Sequence, residues 1–409
     1  MNSLQENTAP SLARVARGNL CAGCGACAGL LPDRITMNVA APGYLRPVQQ
    51  ASISPQEDRL IAAICPGLGQ RVKAGGRPDS PLWGPFLEMW TGWATDPALR
   101  HAGASGGGLS AILAHLLASG TVDAVLQTGA DPALPIGNIT VINTKTTDLA
   151  SAAGSRYAPS APLADLRQLQ GDGRRFAFVG KPCDAAALRA LIAEEPDFAR
   201  VFPVILSFFC AGVPSHDGAR GVLAALGAAE AETESFRFRG NGWPGRATAR
   251  LKDGTERSMS YHDSWGGILS RHVQHRCKIC ADGTGVAADI VCADAWESDE
   301  KGYPVFSEAP GMSLIVARSE LGAKLIADAR AAGQIETQPF APDNLTAIQP
   351  GQRERRRALL ARLAALRLAC RPVPRYEGLL LRAAARQNPV SRNLRNFLGM
   401  LRRTLQGRT

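Results

Sequence analysis

Leu109, Ile112, Leu113, Leu116 and Leu117 follow the i, i+3, i+4, i+7, i+8 spacing of a helix with one apolar face, and Gly120 stands where such a helix would close. Short apolar runs bounded by turn residues then recur at Val122–Gln127, Arg175–Gly180, Phe202–Phe209 and Leu314–Ala317, each predicting a strand, while Ala185–Ala193 predicts a helix between the second and the third. Apolar strands alternating with helices from about residue 88 onward imply an open, at least partly parallel sheet. No internal repeat is visible.

Either side of this rhythm the pattern changes. Residues 1–80 are polar, irregular and punctuated by Gly and Pro, with three cysteines inside seven positions, so this part is expected to fold around a metal rather than a core. Val72–Pro81 reads as a linker. Beyond Gln349 the chain turns helical and arginine-rich. Arg353–Leu368 is one such helix; Ser391–Leu405 is another, with Leu394, Phe397, Leu398, Leu401 and Leu405 on one face and Arg392, Arg395, Arg402 and Arg403 supplying charge. It reads either as a terminal helix packed on its own domain or as an interfacial, partner-docking helix. The expected organisation is a small module over 1–80, a mixed, partly parallel sheet core over 81–350 and a helical basic tail over 351–409. That is an α/β protein, α+β overall.

Charge sharpens this division. The chain of 409 residues carries a net charge of +10, but residues 351–409 hold 15 arginines against two acidic residues, leaving 31 basic and 34 acidic residues before them. A near-neutral body with a basic tail argues against nucleic acid and for local docking, to an acidic partner or peripherally to a membrane. No apolar run reaches the roughly 18 residues of a spanning helix, and residues 1–20 lack a signal peptide's apolar core, so a cytoplasmic protein is expected.

The ten cysteines are grouped rather than scattered, which in an unsecreted chain of this size points to metal instead of disulfides. Cys21, Cys24 and Cys27 form C-x2-C-x2-C, the loop that wraps three corners of a [4Fe–4S] cube, and Cys65-Pro66 fits as the distant fourth ligand. Small residues between them let backbone N–H groups turn toward sulfur. Leu31-Pro32 stands where a two-cluster ferredoxin has another Cys-Pro, so one cluster is inferred here. Structural zinc prefers well-separated pairs and fits poorly.

Cys183 follows the strand ending at Gly180 and Cys210 follows the next, so both would emerge at the carboxyl end of one sheet, where open α/β folds bind ligands. Cys277 and Cys280 add a C-x2-C clamp, enough together for a second cube. Buried structural cysteines or a redox dithiol remain alternatives on spacing alone. Cys292 and Cys370 are left as non-ligands, with Cys292 the substitute should one of the four fail.

Taken in order, Gly92–Arg100, Gly103–Gly108, Gly154–Pro159, Gly180–Cys183, Phe238–Pro244, Cys277–Cys280 and Ala288–Trp296 resemble the family of coenzyme F420 hydrogenase/dehydrogenase β-subunits. The branch is the one with a ferredoxin-like N-terminal module, related to 7-hydroxymethyl chlorophyll a reductase. The resemblance runs from about Cys21 to Pro350. It implies FAD, with a [4Fe–4S] cluster beside it on Cys183, Cys210, Cys277 and Cys280. Two departures stand out: Lys181-Pro-Cys-Asp184 where the family more often has Thr-Pro-Cys-Gln, and Cys292-Ala293 where it often has Val-Gly.

The cofactor-binding set so implied is Ser105, Gly106, Gly107, Gly108, Gly154, Ser155, Arg156, Tyr157, Lys181, Asp289 and Asp294. Ser105–Gly108 opens a helix whose N–H groups and dipole suit a pyrophosphate, and Arg156 and Tyr157 offer a cation and a ring. No G-x-G-x-x-G fingerprint lies in a βαβ context, which disfavours direct NAD(P)H use. His101 is the candidate proton donor, and His272 and His275 are candidate donors to sulfur. The implied function is an oxidoreductase passing electrons between a ferredoxin-like one-electron donor, or reduced deazaflavin F420 as diffusible substrate, and an organic acceptor. Its rival is an electron-transfer subunit with no substrate of its own, docked to a catalytic partner.

Overall fold

The computed structural model describes residues 8–295 and 307–407; Trp296, which ends the last of the family motifs, lies outside them. An eight-stranded sheet organises the chain. Its elements in sequence are β1 (Glu88–Ala94), the helix α1 (Gly108–Ala118), β2 (Ala124–Ala130), β3 (Asn138–Asn143), β4 (Phe176–Gly180), the helix α2 (Pro182–Glu194), β5 (Val204–Phe208), β6 (Ile290–Asp294), β7 (Ser313–Ala317) and β8 (Ile335–Pro339). The spatial order is β8-β1-β7-β6-β5-β4-β2-β3. β2, β4, β5 and β6 run parallel, and the strands outside this block pair antiparallel. The mixed sheet expected from the apolar runs is therefore present, each predicted strand and helix falling within a few residues of its place.

Alternation along the strands builds two cores. Phe176, Phe178, Ile205 and Val291 face one side, with Leu188 and Leu191 of α2 and a group of rings around Phe202. Ala177, Val179, Leu206 and Ile290 face the other, covered by Ile112, Leu113 and Leu116 of α1.

The first 80 residues do not stand apart. Cys24, Ala26, Leu30 and Ile64 belong to the same apolar cluster as Phe176 and Phe178, and the Leu163 N–H donates to the Cys24 carbonyl at 3.0 Å. The tail is joined on as firmly. Its helix α3 (Pro350–Leu368) and its last helix α4 (Val390–Leu405) share a cluster with Val15 and Leu20, and the strand Arg375–Glu377 pairs parallel with Gly69–Arg71. Arg356 of α3 is buried and donates to the carbonyls of Pro81, Ala281 and Leu379.

Gly29 sits at the seam between the N-terminal segment and the sheet. A Cβ there would stand 2.0 Å from the Leu163 carbonyl oxygen and 3.0 Å from the Leu166 nitrogen, both backbone atoms. Gly29→Ala should destabilise the whole protein by about 1–3 kcal/mol, the range typical of overpacking. Urea denaturation should show one transition for the N-terminal segment and the sheet together; separate melting of the segment would show that the seam carries no stability.

Candidate functional site

Gly180 and Ser207 pair across the parallel strands β4 and β5, so the chain leaves both strands at the same edge of the sheet. Cys183 follows in the first turn of α2 and Cys210 lies two residues past β5. The clamp Cys277–Cys280 is brought to them from a distant loop. Cys210 N–H donates to Gly283 O at 2.9 Å, Val213 N–H lies 3.4 Å from Cys277 Sγ, and an isolated bridge joins Pro214 to Val273. Arg355 and Gln352 of α3 fence this edge by donating to the Cys210 carbonyl, both at 3.0 Å.

The other four cysteines also meet. Cys21, Cys24 and Cys27 lie in a loop whose Gly23 and Gly25 have φ of 80° and 85°, and a Cβ on Gly25 would approach Ala164 N to 2.9 Å. Cys65 ends the helix Pro55–Ile64, which starts with a Ser54–Glu57 capping box. Backbone N–H groups point at sulfur here: Gly23 at Cys21 (3.3 Å), Ala26 at Cys24, Ala28 at Cys27, and Leu68 and Gly67 at Cys65.

Every one of these thiols is free of disulfide. Burial pushes the Cys65 thiol up to about 11 and the Cys210 thiol up to about 12, and raises Cys24 and Cys183 well above the ordinary value. Within each group the sulfurs lie within electrostatic reach of one another: Cys27 feels Cys21 and Cys65, while Cys210 feels Cys277 and Cys280. Among the described residues no three metal-ligating side chains converge closely enough for a single ion. Each group offers four thiols, the number of ligands that a [4Fe–4S] cube takes. Cys292 lies on β6 inside the second core with burial alone raising its thiol, and Cys370 is exposed; neither joins a group.

A cavity of about 290 Å³ opens at the carboxyl ends of β4, β5 and β6. Its wall includes Ser105, Gly107 and Gly108, then Gly154, Ser155, Arg156 and Tyr157, and finally Lys181, Cys210 and Asp294. Gly106 and Gly107 have φ of 81° and 69°, and Cβ atoms there would meet Gly311 O and Leu99 O at 2.6 and 2.5 Å, so this loop tolerates only glycine. Ser313 Oγ accepts the Gly108 N–H at 3.2 Å. Burial, reinforced by the neighbouring Arg237, lowers Arg156 to about 10. Its Nε donates to Asn138 Oδ1 and its NH2 to the Gly137 carbonyl, which orient this cation at the cavity wall, where it suits an anionic group such as a phosphate. Tyr157 packs its ring 4.7 Å from that of Trp265.

The two ends of the Lys181-Pro-Cys-Asp184 departure turn out to be partners. Lys181 Nζ is buried, 2.8 Å from Asp184 Oδ2 and 2.7 Å from Ser160 Oγ, and the same carboxylate accepts the Lys181 N–H at 2.9 Å. Although burial opposes it, Asp184 and Cys183 hold the ammonium charged. The other predicted positions are placed differently. Asp289 does not line the cavity; its carboxylate takes the Ile205 N–H, Arg189 and Ser319, tying β5 to β6 and the chain beyond β7. His101 is exposed at the end of the helix Pro97–Ala102, outside the cavity wall.

Sequence reasoning missed Arg239 and Arg276. Arg239, at 2% exposure, donates to both oxygens of Asp294 (3.0 and 2.8 Å) and to the carbonyls of Ala104 and Pro244, locking the glycine loop to the end of β6. Its place inside Phe238–Pro244 was the available signal.

Comparison with known proteins agrees with this layout. Residues 89–167 match the family described as coenzyme F420 hydrogenase/dehydrogenase, beta subunit N-term, and residues 173–343 match its C-terminal counterpart. The chain is 24% identical over 323 residues to one of the subunits of the F(420)H(2) dehydrogenase of Methanosarcina mazei, covering 77% of this chain and 84% of that one. It is 26% identical over 271 residues to F420-dependent formate dehydrogenase 1 subunit beta of Methanococcus maripaludis, covering 63% of each. In fold it is similar to a chain of the F420-reducing [NiFe] hydrogenase complex from Methanosarcina barkeri, with a TM-score of 0.54 at 18% identity over 68% of this chain and 91% of that one. The matched stretches run from β1 through β8 and take in the cavity and the second cysteine group, and on that ground the chain belongs to the family of coenzyme F420 hydrogenase/dehydrogenase beta subunits.

Proposed function

We propose that this protein is an electron-transfer subunit of an oxidoreductase, with one [4Fe–4S] cluster on Cys21, Cys24, Cys27 and Cys65, a second on Cys183, Cys210, Cys277 and Cys280, and FAD in the cavity beside the second. The observation that carries this reading is that Cys210 belongs both to the second cysteine group and to the cavity wall. A flavin exchanges electron pairs or hydride and a cube single electrons, so the pair interconverts the two currencies. Around them the protein's residues would hold and shield: Arg156 would meet the phosphate, the 105–108 loop would admit close backbone approach, and Lys181 presents a buried cation at the wall between cavity and thiols. The names of the relatives favour F420 as the two-electron carrier and a multi-subunit setting; a ferredoxin-like protein is the matching one-electron carrier. Reduction of an organic acceptor by this chain alone is the second reading.

The last helix favours a docked electron carrier. Phe397, Leu401 and Met400 turn inward to the cluster that includes Cys21 and Cys65, while Val390, Leu394, Leu398 and Leu405 remain exposed beside Arg395, Arg402 and Arg403. The expected single apolar face is thus split into an inner and an outer stripe. Arg403 also acts on Lys278, next to Cys277. An apolar stripe edged by cations, on the helix whose inner face packs in the cluster with Cys21 and Cys65, suits an acidic electron-carrier protein. No helix among the described residues is long and apolar enough to cross a membrane.

Iron and flavin measured after anaerobic purification test the cofactor assignment. Cys24→Ala should lose about half the iron, one cube of two, and keep FAD. Cys183→Ala should lose the other half, retain FAD poorly and stop electron transfer; full iron in that variant would remove Cys183 from the ligand set.

Docking is tested with Leu394→Ser and Leu398→Ser combined with Arg395→Gln and Arg402→Gln, all exposed positions. Reduction by an acidic ferredoxin should slow at least roughly tenfold at low salt and by less near 1 M, where the Debye length is about 3 Å and only the lost apolar contact still counts. An unchanged ferredoxin rate together with lost sedimentation on anionic vesicles would assign the face to lipid instead.

A further inference from the structure

The segment Gln274–Cys277 stitches the two cysteine groups together. Gln274 Nε2 lies 3.3 Å from the carbonyl of Ala22, beside Cys21, and 3.6 Å from Cys277 Sγ. Two residues on, Arg276 is 2% exposed and donates through NH2 to the carbonyl of Pro66, beside Cys65, at 2.7 Å. Its guanidinium faces the Tyr376 ring at 5.8 Å, and that ring's hydroxyl is held by the Ile279 carbonyl at 2.8 Å. No carboxylate forms an ion pair with Arg276 among the described residues, and its Nε, wholly buried, has no hydrogen-bond partner.

We propose that Arg276 is a positioning residue that lies between the two iron–sulfur sites and holds up the reduction potentials of both with one permanent charge. This rests on the two-cluster reading above. A buried guanidinium without a carboxylate is costly unless anions surround it. Here the surroundings are cysteines of both groups: the charge reaches Cys21 and Cys65 on one side and Cys183, Cys277 and Cys280 on the other. Each cube with four thiolates gains a further negative charge when reduced, and a fixed cation nearby favours that state. Arginine suits the task because it stays protonated under any working condition, so the bias does not vary with pH. Because one cation serves two sites, removing it moves two potentials together, which a residue attached to one site would not do.

The experiment uses the full chain, purified anaerobically, with iron counted and both clusters followed by electron paramagnetic resonance during a redox titration. Arg276→Met should keep its iron and lower both midpoints, each by at least a tenfold change in the reduction equilibrium, about 59 mV for a one-electron couple. Arg276→Lys keeps the charge and should hold both within about twofold, roughly 18 mV on the same scale. Iron intact with neither midpoint moved, or with only one moved, overturns the proposal. Should the Met variant not assemble, the Lys variant decides: unequal displacement of its two midpoints overturns the shared role. Fewer than about eight irons in the unsubstituted chain defeats the two-cluster reading instead, so the two failures are distinct.

Discussion

The hydroxyl of Ser207 donates to the carbonyl of Gly180 at 2.9 Å, at the last shared position of two parallel strands. Everything chemical in this protein depends on that register. Parallel pairing sends both chains out at one edge, so Cys183 and Cys210 arrive together instead of at opposite ends of the sheet. A slip of one residue would turn Phe176 and Phe178 out of one core and Ala177 and Val179 out of the other. The two apolar layers thus enforce the alignment that brings the thiols together, and neither layer contains a cysteine of the second group.

Around this edge the chain uses arginine as a structural cross-link. Arg239, Arg318 and Arg356 are buried, and most of their hydrogen bonds go to backbone carbonyls; Arg318 joins Trp83, Pro85 and Thr284. A guanidinium has five donors in a rigid plane and can collect carbonyls from several loops at once. This suits irregular segments near sulfur, where a carboxylate would add to the negative charge. It also changes the meaning of the basic composition. Much of the arginine in residues 351–368 holds loops together, while Arg367, Arg375, Arg382, Arg386 and the last helix present charge outward.

The sheet was legible because its strands are short, apolar and punctuated, and packing obeyed the pattern. The grouping of the first cysteines was equally readable, because three of them lie within seven residues. Other features depended on distance along the chain. Nothing near Cys24 indicates that it packs beside Phe176, so the N-terminal segment looked like a separate module. Lys181-Pro-Cys-Asp184 reads in sequence as a departure from a motif, whereas three-dimensional contact makes its two ends one compensated pair. Arg276 drew no attention because adjacency to Cys277 is visible in sequence and adjacency to Pro66 is not. Asp289 looked like a cofactor residue by its place in a motif, yet its carboxylate is consumed in joining strands.

The pairing of Arg375–Glu377 with Gly69–Arg71 has a consequence for biosynthesis. Cys21, Cys24, Cys27 and Cys65 leave the ribosome well before the helices and strand that wall them in, with Leu359, Tyr376 and Met400. The nascent chain therefore passes through a stage at which its first cysteines are already present and still open to the solvent. On the two-cluster reading proposed above, iron and sulfide would reach them most easily during that interval, before translation of the tail shuts the door behind it.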